Sequence, residues 1–456
     1  MGLAHCTKNI LSGGRARAGR ARTLNFEVRA AKPRVGRMNV ELINTGTELL
    51  LGRVLNTHQQ WLGRQLADLG WVVTRQVTVA DDAAGIERAV AEALARADLV
   101  LTTGGLGPTA ADLTRQSVAR MLGKELREDG AVLAQIQVFF AARNRVMPER
   151  TRVQALVPQG ASVLVNRQGT APGLALALAP NPFRAGGQPS WLVLLPGPPR
   201  ELRPMFLDAV VPFLQGLRPP SSPFFCRILR TTGLGESVVE ETLAGPLGKL
   251  VAAGLDLGYC ARPGQVDVRL AARGPAGAEL VNEAARLVAT LLAGRVFGEG
   301  DEELEAVVVH ALTARGQTLA LAESCTGGAI AHRVTNVPGA SAVLLAGLVT
   351  YSNRAKERFL GVRAQTLEAH GAVSAPVAQE MAEGARRQTG ADFALAVTGI
   401  AGPSGGSPAK PVGTAFLALA GPFPTIVERQ LNPYDRETFK QVTAQQALDL
   451  LRRASA

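Results

Sequence analysis

The feature that most restricts the fold is an alternation of strand-like and helix-like segments that occurs twice. In the first block, residues 40–44 read as a strand, 56–69 as a helix, 72–79 as a strand, 83–96 as a helix and 99–103 as a strand. Such alternation requires βαβ units and a mostly parallel sheet. It returns after residue 300. There 304–315 is helical and 318–322 is a strand; strands follow at 343–351, 393–397 and 414–419, and 437–453 is an amphipathic closing helix. Between the blocks lies a shorter stretch with strands at 227–231 and 266–271 and helices at 237–243 and 279–292. A Pro/Ser run at 217–223 reads as a linker. The expected fold class is α/β: two α/β domains, 38–218 and 300–456, joined by a small α+β module at 224–298.

Charge has to be located before it is interpreted. The net charge is +11, but residues 1–37 carry seven Arg and two Lys against Glu27 alone, a local +8 that leaves +3 for the rest. A basic body would point to nucleic acid; this one is near neutral. The 1–37 stretch is rich in Arg, Gly and Ala, lacks hydrophobic periodicity, and is expected to be disordered. The favoured expectation is a gene start placed too early, because Met38 stands just before the first strand. An organelle transit peptide and a basic nucleic-acid arm are the alternatives. The longest apolar runs, such as 343–349, fall short of the roughly 18–20 residues of a membrane span. Aromatics make up 4% of the chain, too few for a stacking platform for single-stranded nucleic acid. Cys6, Cys226, Cys260 and Cys325 form no C-x-x-C pair, and no H-E-x-x-H occurs. Zinc chemistry and a disulfide framework are therefore not expected, and a reducing cytoplasm is the expected compartment.

The densest chemistry lies at 318–328, TLALAESCTGG. An apolar strand runs into Ser324, Cys325, Thr326, Gly327 and Gly328, and a helical pattern follows. Ser324 thus falls on a strand-to-helix turn, at a helix N-terminus where free N–H groups collect. Such a place stabilises an oxyanion or holds a phosphate. It is equally a place for an ordinary Ser or Thr N-cap. A serine nucleophile needs a base. Residues 349–356, VTYSNRAK, offer two groups. Tyr351 ends a strand, Ser352 or Asn353 caps the next helix, and Lys356 falls in its first turn, where its charge opposes the dipole. A Tyr and a Lys converging on a Ser form a hydroxyl-activating set; the plain alternative is a rim tyrosine and a surface lysine. At 396–406, AVTGIAGPSGG, a strand opens into a Gly-rich loop suited to close backbone approach to a ligand. Cys325 is the rival nucleophile, with His332 as its only nearby base.

Together SCTGG, YSN-x-x-K, HGAVS (370–374) and VTGIAGP-x-GG resemble the CinA family, whose C-terminal domain is a nicotinamide-nucleotide amidohydrolase. The resemblance covers almost the whole of the third block, residues 300–456. It implies hydrolysis of nicotinamide mononucleotide to nicotinate mononucleotide and ammonia without a cofactor. It implies Ser324 as nucleophile, activated by Tyr351 and Lys356. Thr326, Gly327, Gly328, Thr398 and Gly399 fall on the substrate side, and Arg436 faces the substrate phosphate. In the implied mechanism Tyr351, held as a phenolate by Lys356, takes the Ser324 proton, and amides of the 324–328 turn hold the oxyanion.

The first block carries a second constellation. NTGTELLLG (44–52), TTGGLGPTAADLT (102–114) and LLPGPPRE (194–201) each follow a strand. Gly104, Gly105 and Gly107 permit close backbone approach, and Asp112 either caps the next helix or binds a metal or ligand hydroxyl. Polar loops at several strand ends form a crevice at the carboxyl edge of the sheet. These motifs resemble the molybdopterin-binding (MoaB/MogA-like) fold at the front of CinA proteins. That resemblance implies ADP-ribose pyrophosphatase activity with a divalent, magnesium-like ion and potassium. Glu48, Asp81, Asp112 and Glu201 become candidate ligand groups, with Asp81 and Asp112 as metal candidates, since hard carboxylates hold ions that clamp a diphosphate. One departure counts against the activity: the first Asp of the family pattern P-T-x-D-D-L-T is Ala111 here. The middle stretch, with GLGES (233–237) and GYCARPGQVDVRL (258–270), resembles the KH-like module between the CinA halves. A KH nucleic-acid site needs a G-x-x-G loop with basic flanks; none is read here, and a spacer role is expected.

The expected partners are small nucleotide substrates, with nucleic acid only through 1–37 and no membrane. A homodimer is the base-rate expectation. Two alternatives stay open: a molybdopterin-type binding module without hydrolysis, and an interaction protein of competence or DNA damage.

Overall fold

The computed structural model describes residues 38–71, 73–217 and 223–455. The expectation of disorder at 1–37 lies outside the described residues, as does the 217–223 linker apart from its two ends. The described residues fall into two units. One comprises residues up to Gln60 together with Val73–Gly216; the other comprises Trp61–Val72 and the chain from Leu217 on.

The first unit is built on β1 (Val40–Thr45), β2 (Val73–Val79), β3 (Leu99–Thr103), β6 (Ser162–Leu164), β7 (Gly173–Leu178) and β8 (Ser190–Leu195), with β4 (Leu126–Glu128) and β5 (Leu156–Pro158) paired as a separate ribbon. The sheet order is β2-β1-β3-β8-β7-β6. The first four strands in that order run parallel, and β7 and β6 return antiparallel. β1 and β3 lie centrally and are buried along their length. The helix Ala83–Leu94 starts where the Asp82 carboxylate accepts the Gly85 amide, and it buries Ile86, Val90, Ala93 and Leu94 at helical spacing. Because β1, β3 and β8 are parallel neighbours, their following loops emerge at one sheet edge.

The second unit has two sheets. β9 (Phe224–Thr232), β10 (Asp256–Arg262), β11 (Gln265–Arg273) and β12 (Val296–Glu299) form an antiparallel sheet in the order β10-β11-β9-β12. The helix expected at 237–243 extends over Glu236–Ala252 despite Pro246, because Val239, Leu243, Leu247 and Leu250 continue one apolar stripe. β10 was not expected, since it is a largely exposed edge strand without apolar alternation. The reading that no G-x-x-G occurs in this module is corrected: Gly274–Gly277 joins β11 to the helix Gly277–Leu291. Arg273 is its single basic flank, and a side chain at Gly277 would press on the Phe225 ring. The second sheet holds β13 (Leu319–Glu323), β14 (Leu344–Val349), β15 (Phe393–Gly399), β16 (Thr414–Ala420) and β17 (Ile426–Leu431), in the order β14-β13-β15-β16-β17. β13 is parallel to both neighbours, whereas β16 and β17 run antiparallel. Along β13 the faces alternate. Leu319 and Leu321 pack with Leu304, Leu312, Phe439 and Leu448, and Ala320 and Ala322 pack with Ala378, Met381 and Ala385. The strand is thus covered on both sides. Among the described residues no helix is long and apolar enough to cross a membrane.

Candidate active site

Ser324 follows directly on β13. Its amide donates to the Val397 carbonyl of β15 (3.0 Å), which fixes the start of the turn. Gly327 and Gly328 have φ of 64° and 94°, so the chain reverses there into the helix Ala329–Thr335. Lys356 arrives from the next parallel strand. β14 ends at Val349, the Thr350 amide donates to the Glu323 carbonyl (2.8 Å), and the Ser352 hydroxyl caps the helix Asn353–Leu360 by accepting the Ala355 amide (3.1 Å). That places Lys356 in the first helical turn with its side chain aimed inward, 1% exposed.

Lys356 Nζ lies 2.9 Å from Ser324 Oγ, 2.8 Å from the Thr350 carbonyl and 3.4 Å from the Tyr351 carbonyl. Burial pulls its pKa below the ordinary lysine value, opposed by Cys325 and, among the described residues, by no carboxylate. A neutral amine has two N–H groups and one lone pair. Protonated, Nζ donates to Ser324 Oγ and to the carbonyls; once the proton is lost, the two carbonyls can take the N–H groups and the lone pair can accept the Ser324 hydroxyl.

Tyr351 is not the link between them. Its ring is 60% exposed, and its hydroxyl accepts from Arg436 Nη2 at 2.7 Å. The expected relay, in which a Tyr351 phenolate takes the Ser324 proton, is therefore corrected: Tyr351 lies two residues past the strand and points outward, while Lys356 meets Ser324 directly. Cys325 is buried, and burial pushes its thiol up to about 12. A thiol so hard to ionise is a poor nucleophile.

The oxyanion expectation also changes. Glu323, fully buried, accepts the amides of Gly328 (3.0 Å), Ile330 (3.1 Å) and Ala331 (2.8 Å). Gly327 and Ala329 donate to the Ser324 and Thr326 carbonyls. The Cys325 and Thr326 amides face the buried Cys325 thiol, so the expectation that the amides of this turn hold an oxyanion gains no free donor among the described residues. Thr326 and Thr350 are both buried, and neither hydroxyl has a partner among the described residues.

The remaining substrate-side candidates divide. The Thr398 hydroxyl donates to the Ala372 carbonyl (2.9 Å), tying β15 to the 370–374 loop. Gly399 is needed for packing, because a Cβ there would lie 2.8 Å from the Thr414 carbonyl and 3.0 Å from Cys325 Sγ. Arg436, in the first turn of the helix Arg436–Ala454, donates to the Gly402 carbonyl (2.8 Å) as well as to Tyr351. Lys440 was not singled out from the sequence. It lies one turn after Arg436, and its Nζ stands 3.7 Å from where a Cβ on Gly327 would be; the i, i+4 spacing of two cations was the available signal.

In the first unit, a cavity of about 490 Å³ opens at the carboxyl edge of β1, β3 and β8. Glu48, Asp81, Gly104, Gly105, Gly107, Asp112 and Glu201 all line it, and among the described residues no Lys or Arg does. The carboxylates do not converge as a metal cage. Asp81 accepts the Thr47 amide (2.9 Å), Asp112 accepts the Thr109 amide and hydroxyl (2.9 and 2.6 Å), and Glu201 accepts from Asn166 (2.8 Å). Among the described residues no group of three or more His, Cys, Asp or Glu is placed to hold an ion. His58 and Gln154 also line the cavity and were not anticipated. His58 Nε2 contacts the Gly197 carbonyl, and burial lowers its pKa. Gln154 is 2% exposed, and its Oε1 lacks a partner. Neither stands in a pattern that marks a ligand residue.

Comparison with known proteins gives matches along most of the chain. Residues 41–216 match the family described as probable molybdopterin binding domain, 226–298 the damage-inducible protein CinA KH domain, and 301–455 the CinA C-terminal domain. A CinA-like protein of Akkermansia muciniphila is 44% identical over 90% of this chain and 96% of its own length. A protein of Symbiobacterium thermophilum described as competence-damage inducible is 46% identical over 91% of this chain and 98% of its own.

Proposed function

The chain belongs to the CinA family, and from that premise we propose that its third block is a nicotinamide-nucleotide amidohydrolase working through Ser324 and Lys356. The observation that carries this reading is the 2.9 Å approach of two buried side chains, Ser324 Oγ and Lys356 Nζ, with no carboxylate among the described residues offsetting the burial of the amine. Neutral Lys356 accepts the Ser324 proton as Oγ attacks the carboxamide carbon of nicotinamide mononucleotide. Lys356 returns the proton to the leaving nitrogen, the C–N bond breaks and ammonia departs. A water then gives its proton to Lys356 as it attacks the ester; the ester C–O bond breaks, Lys356 passes that proton to the departing Ser324 oxygen, and nicotinate mononucleotide is released. Arg436, steadied by Tyr351 and the Gly402 carbonyl, faces the substrate phosphate. Incubation with nicotinamide mononucleotide, followed by chromatography and an ammonia assay, should give the two products in equal amounts. Unchanged substrate with folded protein would remove the reading.

For the first unit the reading is a ligand cavity of molybdopterin-binding type, supported by the match over 41–216. The carboxylates there do not fit a protein-only metal cage, so no hydrolytic step is derived. ADP-ribose cleavage with a divalent ion and potassium remains an activity to assay: release of AMP only when the ions are added would assign it, and no release would leave a binding module. A part in competence or DNA damage rests on the relatives' names.

A further inference from the structure

Strand alternation places residue 323 on the same face of β13 as Leu319 and Leu321, which lie in the core. An apolar residue belongs at such a position, yet it holds Glu323, with no exposed surface. A buried carboxylate persists only if its oxygens are satisfied. Here Oε2 accepts the Gly328 and Ile330 amides and Oε1 the Ala331 amide. The first free amides of the helix Ala329–Thr335 are thereby closed to any substrate anion. The same residue reaches the other half of the pair through its main chain. Its carbonyl accepts the Thr350 amide (2.8 Å), and the Thr350 carbonyl in turn accepts from Lys356 Nζ (2.8 Å).

We propose that Glu323 is the positioning residue of this site. Its side chain sets the Ser324 turn, and its carbonyl sets the Lys356 anchor. The proposal rests on the reading of Ser324 and Lys356 as the reacting pair. Glu323→Gln keeps the shape and one acceptor oxygen, but turns an NH₂ toward backbone N–H groups. The turn must shift to relieve that clash, and a displacement of about 1 Å costs about a hundredfold in rate.

The test uses the full chain and two readouts. The first is the rate at which phenylmethanesulfonyl fluoride labels Ser324. An O–S bond forms, the S–F bond breaks, fluoride leaves and Lys356 takes the proton; no nucleotide is involved. The second is ammonia release from nicotinamide mononucleotide. In folded Glu323→Gln we expect labelling and kcat to fall about ten- to a hundredfold while KM changes less than about twofold. A merely structural role would lower the melting temperature and leave the rate per folded molecule unchanged. Parental labelling and kcat in the folded variant overturn the proposal. Glu323→Asp, which keeps the charge but not the reach, is the second variant and should slow labelling in the same direction. If the parent is labelled more slowly after Glu323→Gln but releases no ammonia, the amidohydrolase reading fails and the positioning role stands. A parent whose Ser324 is not labelled at all overturns both.

Discussion

Replacing Lys356 with Met separates the chemical from the structural use of the buried amine. Met retains the bulk of the stem and removes the nitrogen. In the folded chain that nitrogen is buried without an ion-pair partner among the described residues, and its pKa lies below the ordinary 10.5. Removing a positioned general base slows the reaction by about 10²–10⁴-fold. The pH dependence has a definite sign. Only the neutral amine accepts the Ser324 proton, so kcat/KM of the parent should rise about tenfold per pH unit below the Lys356 pKa and level off above it. The residual rate of the Met variant should lack that limb. Stability follows the same group. Between the lowered folded pKa and 10.5, the unfolded chain keeps a proton that the folded chain has released. Parent stability therefore climbs with pH through this window, by up to about 1.4 kcal/mol per unit, and the burial penalty is present in full below it. At about 2–4 °C per kcal/mol, the Tm of the parent should gain roughly 3–6 °C per unit on that of the variant. Loss of the amine also leaves the Thr350 carbonyl without this donor, at about 1–3 kcal/mol regardless of pH. The difference in slope, not the offset, is thus the readout. Thermal unfolding from pH 6 to 10, paired with ammonia release, measures both. Parallel Tm–pH curves, or a variant keeping more than about a tenth of parental activity, would refute the reasoning.

Three further outcomes follow from the contacts. Cys325→Ala should keep at least about half of the activity, and in the native parent iodoacetamide should leave Cys325 unmodified by mass spectrometry, because its buried thiol is held near 12. Tyr351→Phe removes the hydroxyl that steadies Arg436; steady-state kinetics should show KM raised about three- to tenfold with kcat nearly unchanged, the pattern of lost ground-state binding. In the first unit, Arg115→Met strips a guanidinium donor from the Leu106 and Val153 carbonyls, which keep the Gln154 side-chain amide and the Leu156 amide. At about 1.5–3 kcal/mol for a hydrogen bond to a charged group, that unit should melt several degrees lower in calorimetry.

The α/β alternation was legible because buried parallel strands such as β3 and β13 read as apolar runs and their helices show clear stripes. The β10 edge strand was not, since an exposed strand carries no such signal. Glycine and proline hid the far half of the helix Glu236–Ala252, whose apolar stripe overrode them. Ser324 and Lys356 stood out through their turn and cap chemistry, but side-chain direction could not be read. Tyr351 and Lys356 are five residues apart, and only the fold shows that one points out and the other in. Glu323 was passed over because a single carboxylate at a strand end carries no pattern. The three hydrogen bonds its carboxylate accepts from backbone amides exist only once strand and helix meet. His58 and Gln154 are likewise gathered into the first-unit cavity by tertiary contact alone.

The account turns on Ser324 as the nucleophile of an amide hydrolysis. The most direct measurement is ammonia release from nicotinamide mononucleotide by the parent, Ser324→Ala and Cys325→Ala proteins side by side, each confirmed as folded by its melting curve. The account predicts release by the parent and by Cys325→Ala, with a loss of at least about a thousandfold in Ser324→Ala. Full activity in Ser324→Ala, or its loss in Cys325→Ala alone, would contradict it.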